Sequence, residues 1–258
     1  MAEINRGNLE QYLSERDFRI IGEFKDEKMV ENITENIVFK QIEAICEFQK
    51  LAMQYQGMAY KMMNNKIGKT VEKYKVWIKN LSNTLRNIKS KDYMNEFECT
   101  LIETSDIYMH RAESCINLVN DSDYFGLVRR SMERSELCLG TTYFNNIRKK
   151  DSIEIASLNR CAYNMIEMDA VYLIRKLKRN IISIDYSKII NYFCELQGLN
   201  KNSYMFIMAL SSYPHEYMKC CERYRLKRNK FNVNYYKQKL NDAVERDGEN
   251  LLLGVNIC

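Results

Sequence analysis

The stretch Glu136-Leu-Cys-Leu-Gly-Thr-Thr-Tyr-Phe-Asn-Asn-Ile147 interrupts a chain whose other segments carry helical patterning. It holds a glycine, two threonines, an aromatic pair and two asparagines, with no carboxylate after Glu136. On both sides of it the helical period is clear. Ile37, Val38, Ile42, Ile45, Ala52 and Tyr55 recur at helical spacing after Ile33. Val71, Tyr74, Ile78, Leu81, Leu85 and Ile88 follow steps of 3, 4, 3, 4 and 3, a narrow seam that packs against another helix. Phe97, Leu101, Tyr108, Ala112, Cys115 and Val119 repeat the pattern. Further helices are expected over 124–134, 167–179, 186–196, 203–210, 216–228 and 235–249. Between Leu137 and Arg160 the period fails, and the alternation in "SIEIASL" predicts a short strand or hairpin; "DFRIIGEFK" predicts another near the N-terminus.

Composition agrees. The 258 residues include one proline and nine glycines, too few for a sheet protein with many tight turns. Apolar residues make up 46% and charged residues 28%, enough to bury a core, and the net charge of +5 is mild. The nine cysteines form no C-x-x-C pair and the two histidines, His110 and His215, lie far apart, which argues against a zinc site and for buried thiols in a reducing compartment. No apolar run approaches the ~20 residues of a membrane span, and the N-terminus lacks the apolar core of a signal peptide. A cytoplasmic protein without membrane insertion is the expectation.

Two motifs invite sharper readings and lose them. "GKT" at 68–70 has Met63 where a phosphate-binding loop needs its first glycine, and it follows a helix, so it reads as a helix start. "KCCERYRLKRNK" spreads Lys219, Arg223, Arg225, Lys227, Arg228 and Lys230 around a helix without a base-reading motif; a solvated helix end is expected, not a nucleic-acid surface. "RKLKR" at 175–179 fits a helix C-terminus, where the dipole favours cations.

"LCLGTTYFNNI" resembles the catalytic loop of kinase-like phosphotransferases, whose small-molecule branch carries H-G-D-x-x-x-x-N. Leu139 then stands at the histidine, Gly140 at the glycine, Thr141 at the aspartate and Asn146 at the asparagine. "IASLNRC" is similar to the strand bearing the metal-binding aspartate, with Ser157 in its place, and "MDAVYLIRKLKRN" to the next helix, with Asp169 as its structural aspartate. More narrowly, the chain resembles the CotS-type spore coat family through "ICEFQKLA" (Gln49 where histidine is usual), the segment 95–128, "LSSYPHEYMKCCERYRLKRNKF" and "INRGNLEQYLSERDFRIIGEFK". The likeness covers residues 1–25 and about 33–250.

The resemblance implies a mainly α, protein-kinase-like C-terminal lobe at 33–258 with a small β-hairpin at the relic loop. Residues 1–32 are then a short remnant of an N-terminal lobe that is largely absent. No G-x-G-x-x-G occurs and no strand lysine can be assigned, although both grip nucleotide phosphates in this class. Thr141 is not a useful base at neutral pH, and Ser157 with Asn146 is a weak magnesium set. The expectation is therefore a non-catalytic, spore-coat-associated scaffold: no catalytic, metal or cofactor-binding residue, no cofactor, and coat proteins or its own copies as partners. Its place is the mother-cell cytoplasm, then the spore coat. The faces exposed by the missing lobe, on Ile33–Tyr55 and "YFNNI", would be the docking surface. The alternative is a small-molecule phosphotransferase lobe completed by a partner chain.

Overall fold

A computed structural model describes residues 9–24, 33–55, 63–180, 182–226 and 232–253. Lys227, Arg228 and Lys230 lie outside them. Nine labelled helices dominate the described residues. They are α1 (Glu35–Ala52), α2 (Lys69–Lys89), α3 (Glu96–Asp121), α4 (Tyr124–Glu133), α5 (Glu167–Arg179), α6 (Tyr186–Gln197), α7 (Lys201–Ser212), α8 (His215–Leu226) and α9 (Val233–Asp247). A further helical stretch covers 9–14.

Caps set several of these ends. Asn95 and Glu98 form a reciprocal capping box on α3, while Asp185, Asn200 and Asn232 accept from the first-turn N–H groups of α6, α7 and α9. Gly198 ends α6 in a left-handed conformation, where a Cβ would be strained. At "GKT", Gly68 has φ +77° and precedes the first residue of α2, so the segment is a helix start.

The helices pack as one body. α7 lies against both α3 and α5; α9 against α8, α3 and α5; α2 against α3 and α8; and α1 against α6. Tyr74, Phe97, Phe193, Phe206, Tyr213 and Tyr217 are the large side chains at its centre, each at most 1% exposed.

The strands are short. β3 (Ile147–Lys149) and β4 (Ile153–Ile155) form the antiparallel hairpin, with Arg148 opposite Glu154 and their side chains paired at 2.6 Å. β1 (Phe18–Ile20) joins β4 in parallel, Phe18 facing Ile153. β2 (Leu137–Cys138) pairs with β5 (Ala162–Tyr163), so the central stretch begins on one small sheet and ends on the other. The mainly α class with a minimal hairpin is the observed architecture.

One expectation about the surface is overturned. The apolar face of α1 is not open: Val38, Ile42, Ile45 and Phe48 are at most 1% exposed, covered by α6 and β3. In "YFNNI", Ile147 and Asn146 are buried, and the Tyr143 hydroxyl accepts from the Asn180 amide at 2.6 Å. The exposed large apolar side chains sit elsewhere, Tyr93, Ile107 and Phe125 among them.

Candidate functional site

The loop from Leu139 to Asn146 is held from beneath by α5. Asp169, fully buried in that helix's first turn, accepts from the backbone N–H of Leu139 and of Gly140, both at 2.8 Å. Its second neighbour is Gln49 of α1, whose amide donates to Asp169 Oδ2 and to the Ile166 carbonyl, both at 3.0 Å. A side chain that donates twice in a dry site must be an amide or a cation, which is a physical reason for glutamine there. Burial pushes the Asp169 carboxyl up to about 6, against the two backbone N–H groups and the Gln49 amide that favour its charged form.

Asn146 ties the other end. Its amide donates to the Thr141 carbonyl at 2.8 Å and its oxygen accepts from Ser157 N–H at 3.1 Å, while Ser157 Oγ accepts from Asn159 N–H. Thus Leu139, Gly140 and Asp169 form one cluster, and Thr141, Asn146 and Ser157 another. Gln41, on the apolar face of α1, closes the loop by donating to the carbonyls of Thr142 and Ile147. A polar amide on an otherwise apolar helix face was the readable signal for that contact.

Gly140 is constrained twice. Its φ is +74°, and a Cβ built there would lie 2.5 Å from the Arg160 carbonyl oxygen. Before the loop, Glu136 and Glu167, both 0% exposed, share Arg130 at 2.7–2.9 Å, and Glu136 also accepts from Ile166 N–H. Burial raises the Glu136 carboxyl, opposed by Arg130.

The exposed side of the loop borders a cavity of about 500 Å³ between α2, α5, α8 and α9. Eight lysines and arginines line it against two carboxylates, Glu216 and Asp247. Asp247 is committed: its two oxygens accept from the N–H groups of Glu216 and Tyr217 at 2.8 Å, capping α8. Lys178 is committed too, donating to the carbonyls of Ser211 and Glu249. The floor is aromatic. Tyr74 and Tyr213 stack with centroids 3.8 Å apart, and Arg175 donates to the Tyr74 hydroxyl at 2.8 Å. The Tyr74 hydroxyl also lies within hydrogen-bond distance of His215 Nδ1, at 3.1 Å. Burial, then Arg175, Lys73, Lys219 and Arg179, push the His215 pKa far below its usual value. Partial burial, then Arg175 and Lys219, lower that of Lys73. His110 is exposed and belongs to no such cluster.

Sequence reading missed this cleft, because its cations come from segments spread between Lys66 and Arg246. The "RKLKR" run does end its helix, as expected, and from there Arg175, Lys176 and Arg179 line the cleft while Lys178 is buried against main-chain carbonyls.

Neither the family models nor the curated proteins contain a match to this chain. Among solved structures, the chain is similar to an aminoglycoside phosphotransferase from Alicyclobacillus acidocaldarius, at TM-score 0.66 and 12% identity. The match covers 97% of this chain and 81% of that one. The fold is therefore kinase-like, of the aminoglycoside phosphotransferase kind. That match corrects one expectation: a chain that shares an enzyme's fold along nearly its whole length is not to be set down as a non-enzyme.

Such folds imply a nucleotide and magnesium. The residues at the loop do not fit the ion: both ends of the Asn146 amide are used within the loop, Ser157 Oγ is engaged, and the Asp169 oxygens are turned to backbone N–H groups and Gln49. Among the described residues no group of three His, Cys, Asp or Glu side chains is placed to hold a metal.

Proposed function

We propose that this chain is the substrate-holding lobe of a small-molecule phosphotransferase whose nucleotide and metal are held by a partner chain. What carries the reading is the loop pinned by Asp169 with its open side, Gly140 to Tyr143, lining a cationic cleft. Phosphoryl transfer asks the protein for positioning and charge neutralisation more than for covalent chemistry, and a rigid loop beside a cationic cleft meets both needs. The missing glycine-rich motif and the poor magnesium fit support a reading in which another polypeptide grips the nucleotide. The experiment adds ATP and magnesium to the full chain mixed with candidate nucleotide-binding chains from the same genome. Thermal stabilisation that needs all the components, with label passed from γ-labelled ATP to a small acceptor, supports the reading. No shift and no transfer with any candidate removes it.

The setting is a separate proposal, supported by the CotS-type resemblance of residues 1–25 and 33–250. It places the chain in the mother-cell cytoplasm and then on the spore coat, beside other coat proteins or its own copies. In keeping with that route, no described helix is long and apolar enough to cross a membrane. A fluorescent fusion followed through sporulation tests it, and a signal that stays diffuse and never gathers on the forespore removes it.

A further inference from the structure

The cleft's charge says what it holds. Lys66, Lys73, Arg160, Arg175, Lys176, Arg179 and Arg246 all line it, and none of the seven forms an ion pair with a carboxylate among the described residues. Elsewhere on this molecule lysines and arginines do find acids: Arg130, Arg148, Lys91 and Arg225 each pair at 2.6–2.9 Å. Like charges gathered in a concave site with low-dielectric walls focus their field and repel one another, an arrangement that a bound anion relieves. The first turn of α2 adds to that field, since Thr70 lines the cavity and the N-cap is a glycine without a side chain to meet the turn's N–H groups.

We infer that this cleft binds a small molecule carrying about three phosphate groups, and that it rejects the polycationic aminoglycosides. The inference rests on the reading of the cleft as the substrate site and names the class of substrate. The eight lining cations less the two lining carboxylates leave a net charge of +6, which three phosphates at about two charges each balance. The cavity's size lies within the range of small-molecule sites. Nucleic acid fits less well: the Tyr74 and Tyr213 rings of the floor are at most 1% exposed and stack on each other, so neither offers a face to a base.

The test is calorimetric titration of the full chain with tripolyphosphate at near-physiological salt. Inositol hexakisphosphate, kanamycin and a single-stranded RNA 10-mer are titrated in parallel. Saturable one-to-one binding of tripolyphosphate that weakens as salt rises is expected. Lys73→Gln with Arg179→Gln should weaken it about a hundredfold, near tenfold per cation. Lys40→Gln with Lys150→Gln removes the same charge from exposed positions outside the cleft and should leave affinity within about twofold. Matching thermal melts for the two double variants show that both are folded. No saturable binding, equal weakening in both variants, preference for kanamycin, or tighter binding of the RNA would each overturn the inference. Tripolyphosphate binding with no phosphoryl transfer would remove the proposed function and leave this inference standing. Transfer to an aminoglycoside would do the opposite.

Discussion

Replacing Arg130 by methionine isolates what supports the catalytic-type loop from below. Arg130 is 19% exposed and serves Glu136 and Glu167, both 0% exposed, at 2.7–3.2 Å, with Ser203 Oγ at 3.1 Å. Methionine fills similar space and donates nothing, so two carboxylates lose their shared counter-charge. Breaking a buried ion pair by removing one partner costs about 3–5 kcal/mol. For a chain of this size that corresponds to a Tm loss on the order of 10 °C. The loss should depend on pH, with a definite sign. Burial already raises the Glu136 carboxyl while Arg130 opposes it, so without Arg130 the folded state takes up a proton nearer neutrality. A carboxylate raised above its unfolded value contributes stability at low pH that is lost as pH climbs through the folded pKa. The variant's deficit should therefore be smaller at pH 5 than at pH 8. Adding Glu136→Gln and Glu167→Gln should recover part of the loss at pH 8, because no buried charge is then left alone. The assay is thermal denaturation followed by circular dichroism across that pH range. A drop under about 2 °C at pH 8, or a deficit that ignores pH, would refute the reasoning.

Two further outcomes are expected. Gly140→Ala places a Cβ 2.5 Å from the Arg160 carbonyl oxygen on a backbone with φ +74°, so it should destabilise by about 2 kcal/mol or more in chemical denaturation, with a smaller change arguing that the loop gives way freely. Lys178→Met tests the buried end of α5: burial, then Arg111, pulls the Lys178 pKa down to about 7, so the unfolded chain holds more protons between about pH 7 and 10 and wild-type stability should rise over that window. The methionine variant should lack that rise, by on the order of a few kcal/mol; equal slopes in wild type and variant would show that the ammonium is not desolvated.

How far the fold could be read from the residues depended on the range of the interaction. The α2 seam, Val71 to Ile88, repeats locally, and the helix was observed over Lys69–Lys89. The bounds of α5 were legible as well, since the cations at Lys176, Lys178 and Arg179 mark its last turn. The strands were legible only where pairing is local. "SIEIASL" showed its alternation and became β4, but the parallel partner of that strand is β1, some 130 residues earlier, and the alternation of a three-residue segment cannot name its neighbour. The same holds for coverage. Periodicity showed that α1 has an apolar face, yet which element lies on it is a tertiary fact; α6 and β3 do, so the surface expected to be open is closed.

The cleft marks the sharpest division between what spacing reveals and what packing decides. Thr141 and Ser157 stand out in sequence because they interrupt a known order of carboxylates, and attention to them suggested a site emptied of charge. Folding instead fills the neighbourhood with charge of the opposite sign, drawn from α2, α5, α9 and the segments around Lys66 and Arg160. A net charge of +5 over the whole chain gives no hint of this, since all but two of its 34 acids lie outside the cleft and mask the concentration. In the usual phosphotransferase arrangement, carboxylates hold a metal and the metal neutralises phosphate. Here guanidinium and ammonium groups sit beside the loop without carboxylate partners, and Arg groups in particular match phosphate oxygens two at a time. Thr141 and Ser157 where the resemblance expects aspartates therefore do not by themselves decide what the cleft does.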